Sequence, residues 1–282
     1  MHFFSNKQKI VGLIGSYLLP LFPSKANKLK QRNFTLADDK GYDRLDHILK
    51  LGLIHNIIKA NNPEELAQYH LQYWQSESAS RYHMEADSWD AILPQFVYFI
   101  DEVNTLIESS DVKFSTLCEI GSGSGKLLHY LSDKIRVSDT FIGLDLSQET
   151  VARSNQKYGK DNLNYFAADA KQWLKENGQG NWVYLSYRGV LEYFPQDILL
   201  SFLKGIVKRN SPCIFVAVEP IGLNHDLTKS KQSEHYSNEF SYSHNYEYLL
   251  KLAGFTVHSA ELKPFIENTN LICVVASCGI GK

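Results

Sequence analysis

From Phe114 onward the chain alternates short apolar runs with helix-length amphipathic stretches. The runs are FSTLCEI, TFIGLDL, LNYFAAD, NWVYLSY, SPCIFVAVEP, FTVHSAEL and NLICVVASC. Between them lie KLLHYLSDK, QETVARSNQKY, AKQWLKEN, PQDILLSFLKGIV and HNYEYLLKLAG. Strands separated by helical stretches of about ten to fifteen residues build β-α units and a mainly parallel sheet. The last two runs lack a helix-length spacer, so an antiparallel final strand is expected. The pattern predicts an α/β, mainly parallel sheet of seven strands with helices on both faces.

Before Phe114 the rhythm is helical. Asp43 can cap a helix carrying Leu45, Ile48, Leu49, Ile57 and Ile58, which Gly52 weakens in the middle. Asn62-Pro63-Glu64-Glu65 is a helix start: an N-cap, a proline that needs no amide partner, and a glutamate to close a capping box. Its helix runs through YHLQYW, Tyr69 to Trp74. From Trp89 to Glu108, Leu93, Phe96, Val97, Ile100, Val103 and Ile107 recur at helical spacing, with Pro94 near the start or at a kink. The expected division is a basic and apolar arm over 1–37, a helical cover over 38–110, and the α/β domain over 111–282.

Charge sharpens the first boundary. The formal net of −2 joins an arm with six basic and no acidic residues to a body with 23 basic and 31 acidic ones. So acidic a body argues against clamping long nucleic acid, which needs a concentrated cationic surface. Within the arm, Ile10 to Phe22 reads IVGLIGSYLLPLF between basic clusters. Thirteen residues make a helix of about 20 Å, short of the roughly 30 Å hydrocarbon core. Three readings stay open: an arm packed on the domain, peripheral membrane contact through residues 7–32, and a targeting segment. Cys118, Cys213, Cys273 and Cys278 form no CxxC, and no histidine cluster completes a metal site; they read as buried hydrophobes in a reducing, cytoplasmic setting.

The chemistry-bearing stretch is Leu117-Cys118-Glu119-Ile120-Gly121-Ser122-Gly123-Ser124-Gly125-Lys126, between a strand and a helix. Alternate glycines let a ligand approach the backbone at the carboxyl edge of a sheet. A phosphate-binding Walker loop fails, because Ile120 stands at its first glycine and Leu127 at its hydroxyl. A dinucleotide fingerprint fits weakly, since Lys126 occupies the place of its third glycine.

Glu119 to Gly125 instead resembles the first motif of the class I, Rossmann-like methyltransferases that use S-adenosylmethionine, and the resemblance continues over roughly residues 115 to 278. By that resemblance Glu119, Gly121, Ser122, Gly123 and Gly125 hold the cofactor. Asp145 resembles the acidic residue that takes both ribose hydroxyls, with Leu146 beside it; taken alone, Asp145 also fits a helix cap. Asp169 resembles the residue beside the adenine amine, with Ala170 supplying a small wall. Leu185 to Tyr193, including Ser186, is similar to the fourth motif, at the methyl-transfer end, and Val218-Glu219-Pro220 fits the fifth strand. The implied cofactor is S-adenosyl-L-methionine, leaving S-adenosyl-L-homocysteine as product, with no metal.

The methyl acceptor is less marked. Asn/Asp-Pro-Pro-Tyr/Phe is absent after the fourth strand, and Cys213 precedes the fifth strand rather than following the fourth, so the two nucleic-acid base-methylating patterns are not matched. A small or medium organic acceptor is expected, with O-methylation preferred. N-methylation, protein methylation and a non-catalytic interaction module are the alternatives. His225, His244 and Tyr187 are the catalytic candidates, with Arg188, Glu192 and Glu219 near the same strand ends. Tyr69 to Trp74 and Tyr236 to Tyr248 are candidate lids.

Overall fold

The computed structural model describes residues 6–31, 43–60, 62–76, 97–236, 240–266 and 269–280. Its centre is a seven-stranded sheet of β1 (Thr116–Ile120), β2 (Thr140–Asp145), β3 (Leu163–Ala167), β4 (Trp182–Tyr187), β5 (Cys213–Gly222), β8 (Thr256–Ile266) and β9 (Thr269–Cys278). The order is β3-β2-β1-β4-β5-β9-β8. β1 to β5 pair in parallel, and β9 runs antiparallel to both β5 and β8. All seven apolar runs are therefore strands of one sheet, and the antiparallel ending is borne out.

Connecting helices cover both faces, as the parallel pairing requires. Strand alternation divides the core accordingly. Leu117, Val183, Leu185, Ile214 and Val216 face α5 (Phe99–Ser109) and α6 (Lys126–Leu131), with Val151 of α7 (Gln148–Tyr158) in the same cluster. Cys118, Ile120, Tyr184, Phe215 and Ala217 pack with Leu174 of α8 (Ala170–Asn177), with α9 (Gln196–Asn210) and with α10 (Tyr246–Ala253). β5 is buried at every position, as befits a strand covered on both sides.

The N-terminal layer is helical: α1 (Asn6–Leu18), a 3-10 turn at Leu19–Leu21, α2 (Pro23–Gln31), α3 (Arg44–Lys59) and α4 (Pro63–Trp74). Asp43 caps α3 in a full capping box with Asp46. Gly52 does not interrupt α3. It is where α1 crosses: a Cβ there would lie 2.3 Å from the Gly15 carbonyl carbon. The capping box expected at α4 is only half made. Asn62 Oδ1 accepts from the Glu65 amide, but Glu65 accepts from the Asn62 side chain, while the Asn62 amide donates to Ile57 O. The helix expected from Trp89 is described from Phe99; Leu93, Pro94 and Phe96 lie outside the described residues. Within the polar insertion after β5, two short strands not foreseen, β6 (Glu234–Tyr236) and β7 (Ser241–Ser243), pair as a ribbon.

Candidate functional site

β1 leads to β2 on one side of the sheet, while β4 joins β1 on the other. The carboxyl ends of β1 and β4 therefore flank a topological switch point, where open α/β sheets hold ligands. The glycine loop sits there. Gly121, Gly123 and Gly125 have φ of +73°, +49° and +74°, a region that disfavours any Cβ. A Cβ would also come within 2.4 Å of Val190 at Gly121 and 2.8 Å of the Tyr165 ring at Gly125. The amides of Gly121 and Ser122 both donate to Leu144 O, folding the loop across the end of β2.

Asp145, at the end of β2, is nearly buried and already ties this region together. Its Oδ2 accepts from the Gly123 amide and its Oδ1 from the Ser147 amide, each at 2.9 Å. Each oxygen keeps a second lone pair, so the carboxylate can still receive a diol. The cap of α7 is Ser147, not Asp145. Glu119 is buried beside the loop. Burial, then the Asp145 charge, push its carboxyl well above the usual range. Its Oε2 and the buried Ser122 Oγ have no hydrogen-bond partner among the described residues. Leu146 follows Asp145, half-buried. Asp169 caps α8, its Oδ1 accepting from the amides of Lys171 and Gln172, and Ala170 opens that helix.

Ser186 points to the other face. Its hydroxyl donates to Glu219 Oε1 at 2.5 Å, and both residues are fully buried. Glu219 Oε2 accepts from the amides of Gly189 and Val190 at 3.2 Å, pinning the turn after β4 in which Arg188 and Gly189 take positive φ. Burial raises the Glu219 carboxyl to about 7, against the lowering effect of these donors. Tyr187 lies on the Glu119 side of the sheet, in the cluster with Leu185 and Val218, and burial raises its phenol.

The two candidate histidines stand apart from Tyr187, with the β6–β7 ribbon. His225 is largely buried, its Nδ1 2.8 Å from Ser243 Oγ, which also accepts the Gly222 amide at 3.1 Å. Burial lowers the His225 pKa. His244 is fully buried and lowered to about 3, chiefly by desolvation. Its tautomer follows from its neighbours. The Ser233 amide donates to Gln196 Oε1 at 2.6 Å, so that atom is an acceptor, and the Ser233 hydroxyl must spend its proton there too, at 2.8 Å. Ser233 Oγ can then only accept from His244 Nδ1, 2.6 Å away. Neutral His244 thus carries its proton on Nδ1, and Nε2 keeps a lone pair. Neither His225 Nε2 nor His244 Nε2 has a partner among the described residues.

Sequence reasoning named the two aromatic stretches as candidate lids but not what joins them. Tyr193, in the 3-10 turn after β4, meets His70 at 4.9 Å and Trp74 at 5.4 Å between ring centroids, bringing α4 over this end of the sheet. His235 and Tyr242, then Tyr242 and His244, continue the aromatic wall at 4.2 and 5.6 Å. Tyr236 donates to Glu192, across 44 residues of chain. The only available signal was the density of aromatics in both stretches. Among the described residues no group of His, Cys, Asp and Glu could hold a metal ion. Grooves of about 410 and 470 Å³ lie on the helical layer, lined by residues of α2, α3 and α4 rather than by the glycine loop.

Residues 117–212 match a family model described as a methyltransferase domain. No curated protein sequence matches the chain significantly. Among solved structures the chain is similar to the magnesium protoporphyrin IX methyltransferase of Synechocystis with bound SAH, at 14% identity and TM-score 0.51, covering 75% of this chain and 99% of that one. It is similar to a SAM-dependent methyltransferase of Leishmania major, at 12% identity and TM-score 0.50, over 76% and 85% of the two chains. The DhpI–SAH complex is similar at 17% identity and TM-score 0.50, over 76% and 97%.

Proposed function

We propose that this chain, whose residues 117–212 are a methyltransferase domain within a class I, Rossmann-like fold, methylates a small organic acceptor at a hydroxyl oxygen with S-adenosylmethionine as donor. The observation carrying this reading is the meeting of three positive-φ glycines and Asp145 at the switch point of the sheet. The polar groups there suit the cofactor: Asp145 for the ribose diol, the unanswered Glu119 Oε2 and Ser122 Oγ for the polar amino-acid end, and Asp169 with Ala170 for the adenine. Gly121, Gly123, Gly125 and Leu146 shape the cradle. Ser186 serves indirectly, by holding Glu219 beneath the turn after β4. When bound, the cofactor supplies an electrophilic methyl on a sulfonium. The arm, cover and domain boundaries at 37 and 110 belong to the same proposal.

The protein's task is to position the acceptor, exclude water and remove the hydroxyl proton. His225 is the proposed base. With Nδ1 protonated and donating to Ser243 Oγ, its Nε2 keeps a lone pair for the acceptor's proton. His244, more strongly desolvated, orients the wall, and Tyr187 borders the methyl-transfer end from the other face. Tyr193, His70 and Trp74 close the acceptor side.

The test is transfer of labelled methyl from S-adenosylmethionine into fractionated cell extract. Label should enter a small-molecule fraction as a methyl ether, and His225→Gln should lower turnover by about 10²–10⁴-fold with cofactor binding retained. Because the neutral imidazole is active and its pKa is lowered, wild-type activity should rise with pH to a plateau, with the midpoint of the rise below the ordinary histidine value. Label in RNA or protein, or full activity in His225→Gln, would contradict the acceptor and base assignments.

A further inference from the structure

We propose that the outward face of α1 and its 3-10 extension docks on an anionic phospholipid bilayer. α1 gives the protein one side only: Val11 and Leu18 pack on the core of the helical layer, and Ser16 Oγ donates to Asn56 Oδ1 at 2.7 Å. It lies on α3 through Gly12 and Gly15, where a Cβ on Gly15 would come within 2.0 Å of Ile48 O. The apolar residues on its other side point away: Ile10 is 60% exposed, Leu13 45%, Ile14 48% and Tyr17 76%, and Leu21 of the 3-10 turn is 69% exposed. At 3.6 residues per turn Ile10, Leu13, Ile14 and Tyr17 fall on one stripe about 100° wide. A helix facing water carries polar residues there.

Length and charge select the occupant. Thirteen residues reach about 20 Å, too short to span but suited to lying in the interfacial plane. Among the described residues no helix is long and apolar enough to cross a membrane. The stripe is bracketed in sequence by Lys7 and Lys9 before it and by Lys25, Lys28, Lys30 and Arg32 after it, with no acidic residue before Asp38. Lys25 is engaged by Asp43 at 2.6 Å, whereas Lys28 and Lys30 stand exposed on α2. Packing two such arms together, in either direction, would oppose cations to cations. An anionic lipid surface complements them, at a gain for each lysine near the headgroups.

The site shares no residue with the methyl-transfer machinery, so each can fail alone. The full chain should float with vesicles of phosphatidylcholine and phosphatidylglycerol, and much less with phosphatidylcholine alone. Ile14→Ser with Tyr17→Ser should abolish flotation while S-adenosylhomocysteine binding is unchanged. Lys28→Gln with Lys30→Gln should weaken it about ten- to thirtyfold. Absence of flotation by a wild-type chain that binds S-adenosylhomocysteine would overturn the proposal. So would a stable dimer that the Ile14 and Tyr17 changes dissociate with no vesicle binding, since a second copy would then be the occupant.

Discussion

Glu219 has no solvent exposure, yet both its oxygens are answered by donors from β4 and the turn that follows. Its folded-state value, raised to about 7 from 4.5, keeps the carboxyl protonated at pH values between these two, where an exposed glutamate has lost its proton. The corresponding stability is complete below the ordinary carboxylate value and is lost as pH rises through about 7. Glutamine can reproduce the contacts, its carbonyl accepting the two amides and its amide donating to Ser186 Oγ. Thermal unfolding of Glu219→Gln, compared with wild type at each pH, should therefore shift in the variant's favour between about pH 5 and pH 8. A pH-independent difference would show that Glu219 does not titrate in this way. None of this was legible in the sequence, because the partners lie about thirty residues away in the chain. The placement of Asp145 and the glycines was legible, because it follows from position at a strand end. Asp169 was half legible: the strand end was clear, but its use as the cap of α8 depends on local backbone geometry.

At the level of elements, Gly52 carries the sharpest lesson. By propensity it weakens a helix, and by packing it lets α1 sit against α3. Propensity concerns one helix at a time and cannot register a partner 37 residues earlier. Gly52→Leu should force the two helices apart, costing about 1–3 kcal/mol as overpacking does. The measurable result is faster tryptic cleavage at the lysines of α2, with S-adenosylhomocysteine binding unchanged. Wild-type cleavage rates in the variant would contradict the crossing. The long amphipathic helices and apolar strands were readable because their periods repeat several times. β6 and β7, of three residues each, complete too little of a period to declare themselves, and their pairing is fixed by tertiary contacts. That ribbon, like the contacts of Tyr193 with His70 and Trp74, had to be seen in the structure.

Over the whole molecule, the spacing of strands and helices fixed the order of events along the chain but not the order of strands in space. Only the latter creates the switch point between β1 and β4 where the glycine loop and Asp145 meet. Tyr187 packs in the cluster on one face of the sheet, whereas His244 meets Tyr246 of the opposite cluster and His225 meets Ser243 of β7. The charge asymmetry survives as geography: a cationic helical arm, an acidic body, and between them α3 and α4, reaching Tyr193. The most direct test of the central claim is calorimetric titration of the full chain with S-adenosylhomocysteine, beside Asp145→Ala checked for retained fold. The wild type should bind one equivalent. The variant should bind at least tenfold more weakly, having lost a charged acceptor for the ribose and the anchor of the Gly123 amide. A folded wild-type chain that binds no S-adenosylhomocysteine, or an Asp145→Ala chain that binds it equally well, would contradict the account.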